Sequence, residues 1–363
     1  MYKKYINYMI VIGVGNVDVN QFKFGLDTFG DVAVDHTGKQ ISYEESIRNI
    51  VKEGQLAEEV GVDVFALGEH HRKEYSISSP EIILAALASV TEKITLGTAV
   101  TVLSSDDPIR LYQRFATLDA ISNGRSQVMI GRGSFTESFE LFGYDLRDYN
   151  ELFEEKVALF DKLVKGGPVT SSGKFTPHLE NMEVYPKMTE NKLDVQVGVG
   201  GTPESVVRAA RYGYPLMLAI IGGNPIRFKP YIELYKQSAK KFGNPIHPVG
   251  MHSHGVIAET DEEAIERAWK YIVPAMNKLG RERGWGPMSR EAFENEVENG
   301  SYYVGSPETV AKRMAKVIKE MGIERFDLVY GINGQLQEER FQTIELFGKE
   351  VIPRVKEILK EGN

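Results

Sequence analysis

Short runs of consecutive apolar residues alternate along the chain with longer segments in which apolar residues recur every three or four positions. The second pattern is typical of a helix that buries one face; in 42–60, for example, Ile47, Ile50 and Val51 share this spacing with Leu56 and Val60. The short runs predict strands at 22–29, 62–67, 94–102, 125–130, 193–199, 214–221, 249–258 and 327–330. The periodic segments predict helices at 42–60, 80–90, 108–121, 149–164, 203–212, 226–242, 261–276, 307–321 and 338–359.

Eight strands that alternate with helices indicate parallel pairing through right-handed crossovers. The regular spacing without a linker favours one closed (β/α)8 barrel over a doubly wound open sheet, the alternative fold. We expect 1–21 to be an N-terminal extension, because it departs from this pattern, and 22–363 to be the barrel. Two segments interrupt the alternation: a loop rich in glycine, proline and serine at 168–187, and a charged insertion at 280–300.

Composition narrows the chemistry further. The 363 residues contain no cysteine, which excludes disulfides, thiolate metal sites and cysteine nucleophiles, and fits a reducing cytoplasm. The formal net charge is −8, and full protonation of the seven histidines would not reverse its sign. We therefore expect no nucleic-acid binding, and an anionic ligand must be held by local groups. We expect no membrane insertion either, because no apolar run is long enough to span a membrane.

Histidines follow two of the predicted strands. His70 and His71 lie in a run from Glu69 to Arg72 at the end of the second strand, where a barrel gathers its catalytic groups. They predict an acid/base group, with a structural histidine or half of a metal site as alternatives. We expect the two rings to diverge, because neighbours in a strand point to opposite faces. His252 and His254 alternate in the seventh strand and should share a face, as pocket lining, core histidines or a metal site.

Two glycine-containing turns predict a site for an oxyanion. Arg132 lies between Gly131 and Gly133 after the fourth strand, so a ligand could approach the backbone beside a guanidinium. After the fifth strand come Gly200, Gly201 and Thr202, followed by a proline that begins a helix and by Ser205. Free N–H groups at such a helix start favour phosphate; the alternative is an ordinary turn with a threonine cap.

Taken in order, these pieces resemble the luciferase-like flavin-dependent monooxygenases from about residue 22 to the C-terminus. The matching segments are 25–30 (GLDTFG), 68–71 (GEHH), 96–100 (LGTAV), 107–110 (DPIR), 118–119 (LD), 122–125 (SNGR), 131–133 (GRG), 141–143 (LFG), 199–204 (VGGTPE) and 305–309 (GSPET). Each segment alone is too short to identify a family, and the resemblance rests on how many segments match and on their shared order.

The resemblance implies a flavin mononucleotide or a deazaflavin at the carboxyl end of the barrel. Its phosphate would rest on Gly200, Gly201, Thr202 and Ser205, with Arg132 as the counter-charge. Its ring would lie against Thr98, Ala99 and Val100, and the family often has a non-prolyl cis peptide bond here, so we predict one between Ala99 and Val100. The segment 280–300 falls where relatives carry a mobile lid.

The resemblance also implies that His70 hydrogen-bonds the reacting centre or accepts a proton from it. Gly131 and Gly201 replace a cysteine and a glutamate of luciferase, which argues against light emission and long-chain aldehyde chemistry. The predicted function is oxidation of a small organic substrate by reduced flavin and O2, with a separate flavin reductase as the supplier. A deazaflavin-dependent hydride-transfer enzyme, a non-enzymatic flavin-binding protein and a barrel metallohydrolase are the alternatives. A cytoplasmic homodimer is expected from the family.

Overall fold

The computed structural model describes residues 18–133, 135–188, 193–284 and 286–361. The strands are β1 (Lys23–Thr28), β2 (Val64–Leu67), β3 (Thr95–Thr98), β4 (Thr101–Val102), β5 (Ser126–Gly131), β6 (Val169–Ser171), β7 (Leu179–Met182), β8 (Asp194–Val199), β9 (Leu216–Ala219), β10 (Val249–Ile257), β11 (Tyr303–Gly305) and β12 (Arg325–Val329). The helices are α1 (Tyr43–Glu59), α2 (Pro80–Ala88), α3 (Pro108–Ser122), α4 (Glu137–Leu141), α5 (Tyr149–Lys165), α6 (Pro203–Tyr212), α7 (Lys229–Phe242), α8 (Asp261–Arg283), α9 (Arg290–Glu298), α10 (Pro307–Met321), α11 (Gln337–Leu346) and α12 (Ile352–Glu361).

Eight of the strands form a closed parallel barrel. Going round it, the order is β1, β2, β3, β5, β8, β9, β10 and β12. The last strand pairs back with the first, with Val329 opposite Asp27. This closure confirms the predicted (β/α)8 barrel and excludes the doubly wound sheet.

Local signals set the helix ends. The Asp107 side chain accepts hydrogen bonds from the N–H groups of Ile109 and Arg110, both at 2.9 Å, and Pro108 begins α3. The same helix ends at Asn123, whose left-handed backbone (φ 54°) breaks the helical repeat. Such caps explain why the helix bounds follow the sequence pattern closely.

Three segments differ from their predictions. The predicted loop at 168–187 contains β6 and β7, which pair antiparallel. The helix predicted to end at 276 passes through Pro274 and continues to Arg283, so the insertion at 280–300 consists largely of the end of α8 and of α9. The helix predicted at 338–359 is interrupted by a π-helical turn, Phe347–Val351.

The third barrel strand is divided in two. The run predicted at 94–102 forms β3 and β4, and β4 pairs with β5 through Thr101 opposite Ile130. Between them, the Ala99–Val100 peptide bond is cis, as predicted.

The predicted N-terminal extension lies mostly outside the described residues, which begin at 18. Within its described part, Val19 is buried in the main hydrophobic core. The division of the chain into 1–21 and 22–363 stays a prediction. In the part of the chain that the structure describes, no helix has the length and apolar character needed to cross a bilayer.

The interior of the barrel has a polar network at its amino end. Arg325 Nε donates to Asp327 Oδ1 at 2.8 Å, and Arg325 Nη1 donates to Gln127 Oε1 at 2.6 Å. These side chains stand on the first residues of their strands or close to them, so they fill the lower end. Val64, Ala66, Ala99, Met129 and Met217 form a separate apolar cluster.

Candidate active site

A cavity of about 640 Å³ lies at the carboxyl ends of the barrel strands, within the size range of small-molecule sites. Strand residues form its floor, and the segments after β2 and β5 form part of its wall. The C-terminal half of α8 covers it with apolar side chains, namely Ile272, Ala275, Met276 and Leu279. These apolar residues lie just before 280–300, the segment at which the sequence predicts a lid; from that segment Glu282 lines the cavity, and the lid stays a prediction.

Val100 shapes the floor. A Cβ atom built on Gly131 would lie 2.6 Å from Val100 Cγ2, and one built on Gly198 would lie 2.7 Å from Val100 Cγ1. Carbon atoms that are not bonded to each other do not approach this closely. Glycine at both positions is therefore what allows the Val100 side chain to lie between β5 and β8.

Arg132 meets two of the predicted phosphate-binding hydroxyls at one edge of the cavity. Its Nη2 donates to Thr202 Oγ1 at 3.2 Å and to Ser205 Oγ at 3.1 Å. Its Nη1 donates to Asn150 Oδ1 at 2.9 Å, and the guanidinium lies over the Tyr149 ring, 5.2 Å from its centroid. The arginine is thus fixed from both sides, and the two hydroxyls are hydrogen-bonded to each other at 2.7 Å. We call Arg132, Thr202 and Ser205 the cationic corner.

The backbone at this corner leaves room for a ligand. A Cβ atom on Gly200 would meet nothing within 4 Å, and Gly201 has φ +115°, a conformation that L side chains rarely adopt. Helix α6 begins at Pro203, and the Thr202 side chain does not cap it. Pro203 has no N–H, and the N–H groups of Ser205 and Val206 donate to the Thr202 carbonyl at 3.1 Å and 3.4 Å. The positive end of the helix dipole at this start favours an anion.

A second arginine, which the sequence analysis did not identify, supports the corner from behind. Arg208 is buried, and its Nη1 donates to Ser205 Oγ at 3.2 Å. Its Nε forms an ion pair with Glu154, which also pairs with Arg211. The spacing of three residues between Ser205 and Arg208 on one helix is the signal that could have identified it.

His70 is hydrogen-bonded to a carboxylate in the cavity wall. Its Nδ1 lies 3.3 Å from Glu137 Oε1. Burial would raise the pKa of Glu137, but the hydrogen bond to His70, a backbone hydrogen bond and the charges of His70 and Arg72 outweigh burial and lower that pKa to about 2. An ionised carboxylate only accepts hydrogen bonds, so Nδ1 is the donor, and in the neutral ring Nε2 carries the lone pair of a base.

Arg72 links this pair to the helix above the cavity. Its Nε lies 3.3 Å from Glu137 Oε2, and its Nη1 donates to Glu282 Oε2 on α8 at 2.8 Å. The guanidinium also lies over the Phe135 ring, 4.4 Å from its centroid. A chain of charges thus runs from His70 to the end of α8.

His71 lines the same cavity but has other neighbours: its ring packs against Phe142, whereas the His70 ring packs against Tyr75 and Phe135. The predicted divergence of the two rings stays a prediction. Strand β2 ends at Leu67, and the alternation of a strand no longer applies at residues 70 and 71. His71 Nε2 lies 3.8 Å from Glu69 Oε1, beyond hydrogen-bonding distance. Burial raises the pKa of Glu69, and His71 partly offsets this.

His252 and His254 both line the cavity, as the alternation predicts. His252 Nδ1 lies 2.9 Å from Asp27 Oδ2. Burial and the nearby Asp327 raise the pKa of Asp27 to about 6, against the opposing effect of His252. Burial, together with His252, lowers the pKa of His254 to about 4, so this ring is neutral at pH 7. Among the described residues, no cluster of three or more metal-ligating side chains occurs.

Two of the predicted residues lie outside the cavity. The Thr98 side chain is buried within the sheet, where its Oγ1 accepts hydrogen bonds from Thr101 Oγ1 at 3.0 Å and from the Met129 N–H at 3.2 Å. Gly201 lies behind the corner, and its carbonyl accepts a hydrogen bond from the Tyr231 hydroxyl at 2.7 Å. The remaining predicted residues line the cavity, namely His70, Ala99, Val100, Arg132, Gly200, Thr202 and Ser205.

Residues 23–325 match the family model described as luciferase-like monooxygenase. The chain is 26% identical over 364 residues to the alkanal monooxygenase alpha chain of Photorhabdus luminescens, covering 91% of this chain and 97% of the relative. It is 24% identical to 3,6-diketocamphane 1,6-monooxygenase of Pseudomonas putida, covering 84% of this chain and 92% of the relative.

Solved structures share the fold. The monooxygenase RslO1 from Streptomyces bottropensis superposes with a TM-score of 0.78 at 23% identity, covering 91% of this chain and 99% of that one. The oxygenating constituent of 3,6-diketocamphane monooxygenase from Pseudomonas putida, in complex with FMN, gives 0.73 at 20% identity, covering 92% and 98%. An F420-dependent secondary alcohol dehydrogenase, in complex with an F420-acetone adduct, gives 0.71 at 19% identity, covering 92% and 99%.

Proposed function

Because the chain belongs to the luciferase-like monooxygenase family, we propose that it is a flavin-dependent monooxygenase that oxidises a small organic substrate with O2. The observation that carries this proposal is the cationic corner, which opens into the same cavity as His70. The names of its relatives, which include an alkanal and a diketocamphane monooxygenase, support this reaction class.

The residues present fit a flavin mononucleotide. The guanidinium of Arg132, the hydroxyls of Thr202 and Ser205 and the first turn of α6 would hold its phosphate. The floor at Ala99 and Val100 is apolar, which suits a flavin ring. Reduced flavin supplies the two electrons with which O2 is split between the substrate and water.

The protein's own groups would position the reactants and move a proton. Nε2 of His70, opposite the Nδ1 held by Glu137, is the basic atom that accepts or returns a proton at the reacting centre. The apolar face of α8 excludes water from the cavity, which protects a reactive site from hydrolysis and wasteful oxidation.

A deazaflavin-dependent hydride transfer is the second candidate, and the fold shared with an F420-dependent dehydrogenase favours it. Oxygen consumption separates the two, because only the monooxygenase needs O2. A non-enzymatic flavin-binding protein would retain flavin without turnover of any substrate. We further propose a cytoplasmic homodimer that receives reduced flavin from a separate reductase; the described residues include neither disulfide nor membrane span.

The test is a binding titration that isolates the phosphate. Wild-type protein should bind FMN more tightly than riboflavin, which has the same ring and no phosphate. Arg132→Met should weaken FMN binding roughly tenfold to a hundredfold, as expected for the loss of charge-assisted hydrogen bonds of about 1.5–3 kcal/mol, and should change riboflavin binding little.

Arg147→Met serves as the matched control, because Arg147 is exposed and, among the residues that the structure describes, its ion pair is with its sequence neighbour Asp145. It should leave both affinities unchanged. Equal affinity of the wild type for FMN and riboflavin would contradict the assignment of the cationic corner, and no flavin binding at all would contradict the proposed function.

A further inference from the structure

Four side chains that line the described cavity each have a buried polar atom without a hydrogen-bond partner, namely Asp31, His71, Glu137 and Ser138. Of the two carboxylates among them, Glu137 faces His70 and Arg72, whereas Asp31 has no such ion pair in the described part of the chain. Asp31 follows β1, lines the cavity and is only 7% exposed. Its Oδ2 is buried and accepts no hydrogen bond from any described residue. An unsatisfied buried acceptor is costly, so it normally has a partner, and in a ligand site that partner is the ligand.

Asp31 lies across the barrel mouth from the cationic corner. The corner is built after β5 and β8, the fourth and fifth strands round the barrel. Asp31 follows the first strand, β1, which pairs with the eighth, β12. In a closed ring of eight, the first and eighth strands are opposite the fourth and fifth. A cofactor whose phosphate occupies the corner therefore leaves the side at Asp31 for the substrate.

The side at Asp31 adjoins the proposed base. Asp31 forms an isolated β-bridge with Tyr75, whose ring lies 4.4 Å from the His70 ring between centroids. Tyr75 also lines the cavity, as does Asn333 after β12. A substrate group bound at Asp31 is therefore held close to His70.

The other carboxylates of the cavity already have a basic side chain within 4 Å. Each faces a cation or histidine: Glu74 with Lys278, Glu137 with His70 and Arg72, Glu282 with Arg72, and Glu69 with His71. Asp31 has no ion pair within 4 Å among the described residues. The buried Arg340 influences it electrostatically, but the Arg340 Nη2 donates to the Ile332 carbonyl at 3.0 Å. Burial raises the pKa of Asp31 to about 7, and Arg340 opposes that shift.

We propose that Asp31 determines substrate specificity by binding an amine, and that the substrate is an apolar molecule with a terminal amino group. An ammonium group would donate hydrogen bonds to Asp31 and would supply the positive charge that no described residue places beside it. The apolar face of α8, at Met276 and Leu279, receives the rest of the molecule. A carboxylate in the same place would face Asp31 with like charge. The proposal deepens the proposed function and rests on it.

Octylamine, 1-octanol and octanoate are matched probes, because they share one chain and differ in the terminal group. FMN binding is measured first, and each probe is then titrated into the FMN-loaded protein by calorimetry. We expect octylamine to bind at least tenfold more tightly than either of the others, as charged hydrogen bonds imply. Asp31→Asn, which keeps the shape of the side chain, should abolish this preference.

Glu74→Gln is the control, since it removes a cavity carboxylate that already has Lys278 as a partner, and it should keep the preference for octylamine. Octanol binding as tightly as octylamine overturns the proposal, as does an unchanged preference in Asp31→Asn. If Asp31→Asn does not fold, the three probes on the wild type decide alone. Failure to bind FMN would reject the proposed function, whereas FMN binding without a preference for the amine rejects only this inference.

Discussion

The ion pair between His70 and Glu137 allows a test that needs neither cofactor nor substrate. Glu137→Gln keeps the size of the side chain and removes its charge. In the wild type that charge interacts with His70 Nδ1 at 3.3 Å and with Arg72 Nε at 3.3 Å. The variant should therefore be less stable at neutral pH.

The magnitude follows from the pKa of Glu137, which falls from 4.5 to about 2 in the folded protein. Such a difference corresponds to about 3 kcal/mol. The Glu137 side chain is 18% exposed, so solvent screens part of its interactions, and we expect a loss of about 2 kcal/mol in the free energy of unfolding.

The pH dependence has a definite direction. The pKa of Glu137 is lowered in the folded state, so its stabilisation is complete above the unfolded value of 4.5 and is lost as pH falls toward 2. The contribution of the Glu137 charge to the difference between wild type and Glu137→Gln should be complete by pH 6. At pH 3 it should be less than roughly half of its neutral value.

Urea unfolding at pH 7 and pH 3, followed by circular dichroism, measures this difference. Glu140→Gln is the control, since Glu140 is an exposed glutamate on the same helix α4, and its effect should stay within about 0.5 kcal/mol. Equal stability of wild type and Glu137→Gln at pH 7, or a difference that grows on acidification, would refute the role given to this ion pair.

Two further predictions concern the floor of the cavity and the barrel axis. Gly198→Ala places a Cβ 2.7 Å from Val100 Cγ1 and should lower the free energy of unfolding by about 1–3 kcal/mol, and with it the melting temperature. In the control, Gly200→Ala, the new Cβ meets no atom within 4 Å, so the melting temperature should not change. Equal melting temperatures of the two variants would contradict this packing. The pKa of His254 is lowered from 6.5 to about 4 in the folded protein, so the unfolded chain binds a proton first as pH falls. The folded state therefore loses stability between pH 6.5 and pH 4. His254→Gln should remove up to about 2 kcal/mol of the loss between pH 7 and pH 5, which urea unfolding at both pH values can measure; the same acid sensitivity in both proteins would exclude His254 as its source.

The cationic corner could be predicted from sequence because its signals are local. Gly200, Thr202 and Ser205 lie within one strand-to-helix turn, and each residue type has a known conformational role there. Arg132 could be added because parallel barrel strands that follow each other in the chain place their ends side by side. The cis peptide bond at Ala99–Val100, by contrast, was predicted from the family resemblance and not from local signals.

Contacts between distant parts of the chain could not be predicted in this way. His70 and Glu137 are 67 positions apart, and Arg72 and Glu282 are 210 positions apart. No periodicity specifies which carboxylate a histidine will meet across a cavity. The position of Val100 between β5 and β8 likewise depends on the register of three strands, since a glycine alone does not indicate which side chain it admits.

The acidity of the chain and its cationic corner are compatible because electrostatic interactions in water are short-ranged. A net charge of −8 is spread over the surface, and salt screens charges beyond about 8–10 Å. Within that distance of the corner stand Arg132 and the buried Arg208, both fixed by hydrogen bonds to the same hydroxyl, Ser205 Oγ. Across the mouth lies the carboxyl group of Asp31, which has no ion pair within the described residues and whose pKa burial raises to about 7. The cavity is therefore polarised across the barrel axis, and a phosphate-bearing cofactor and a cationic substrate end would each be attracted to its own side.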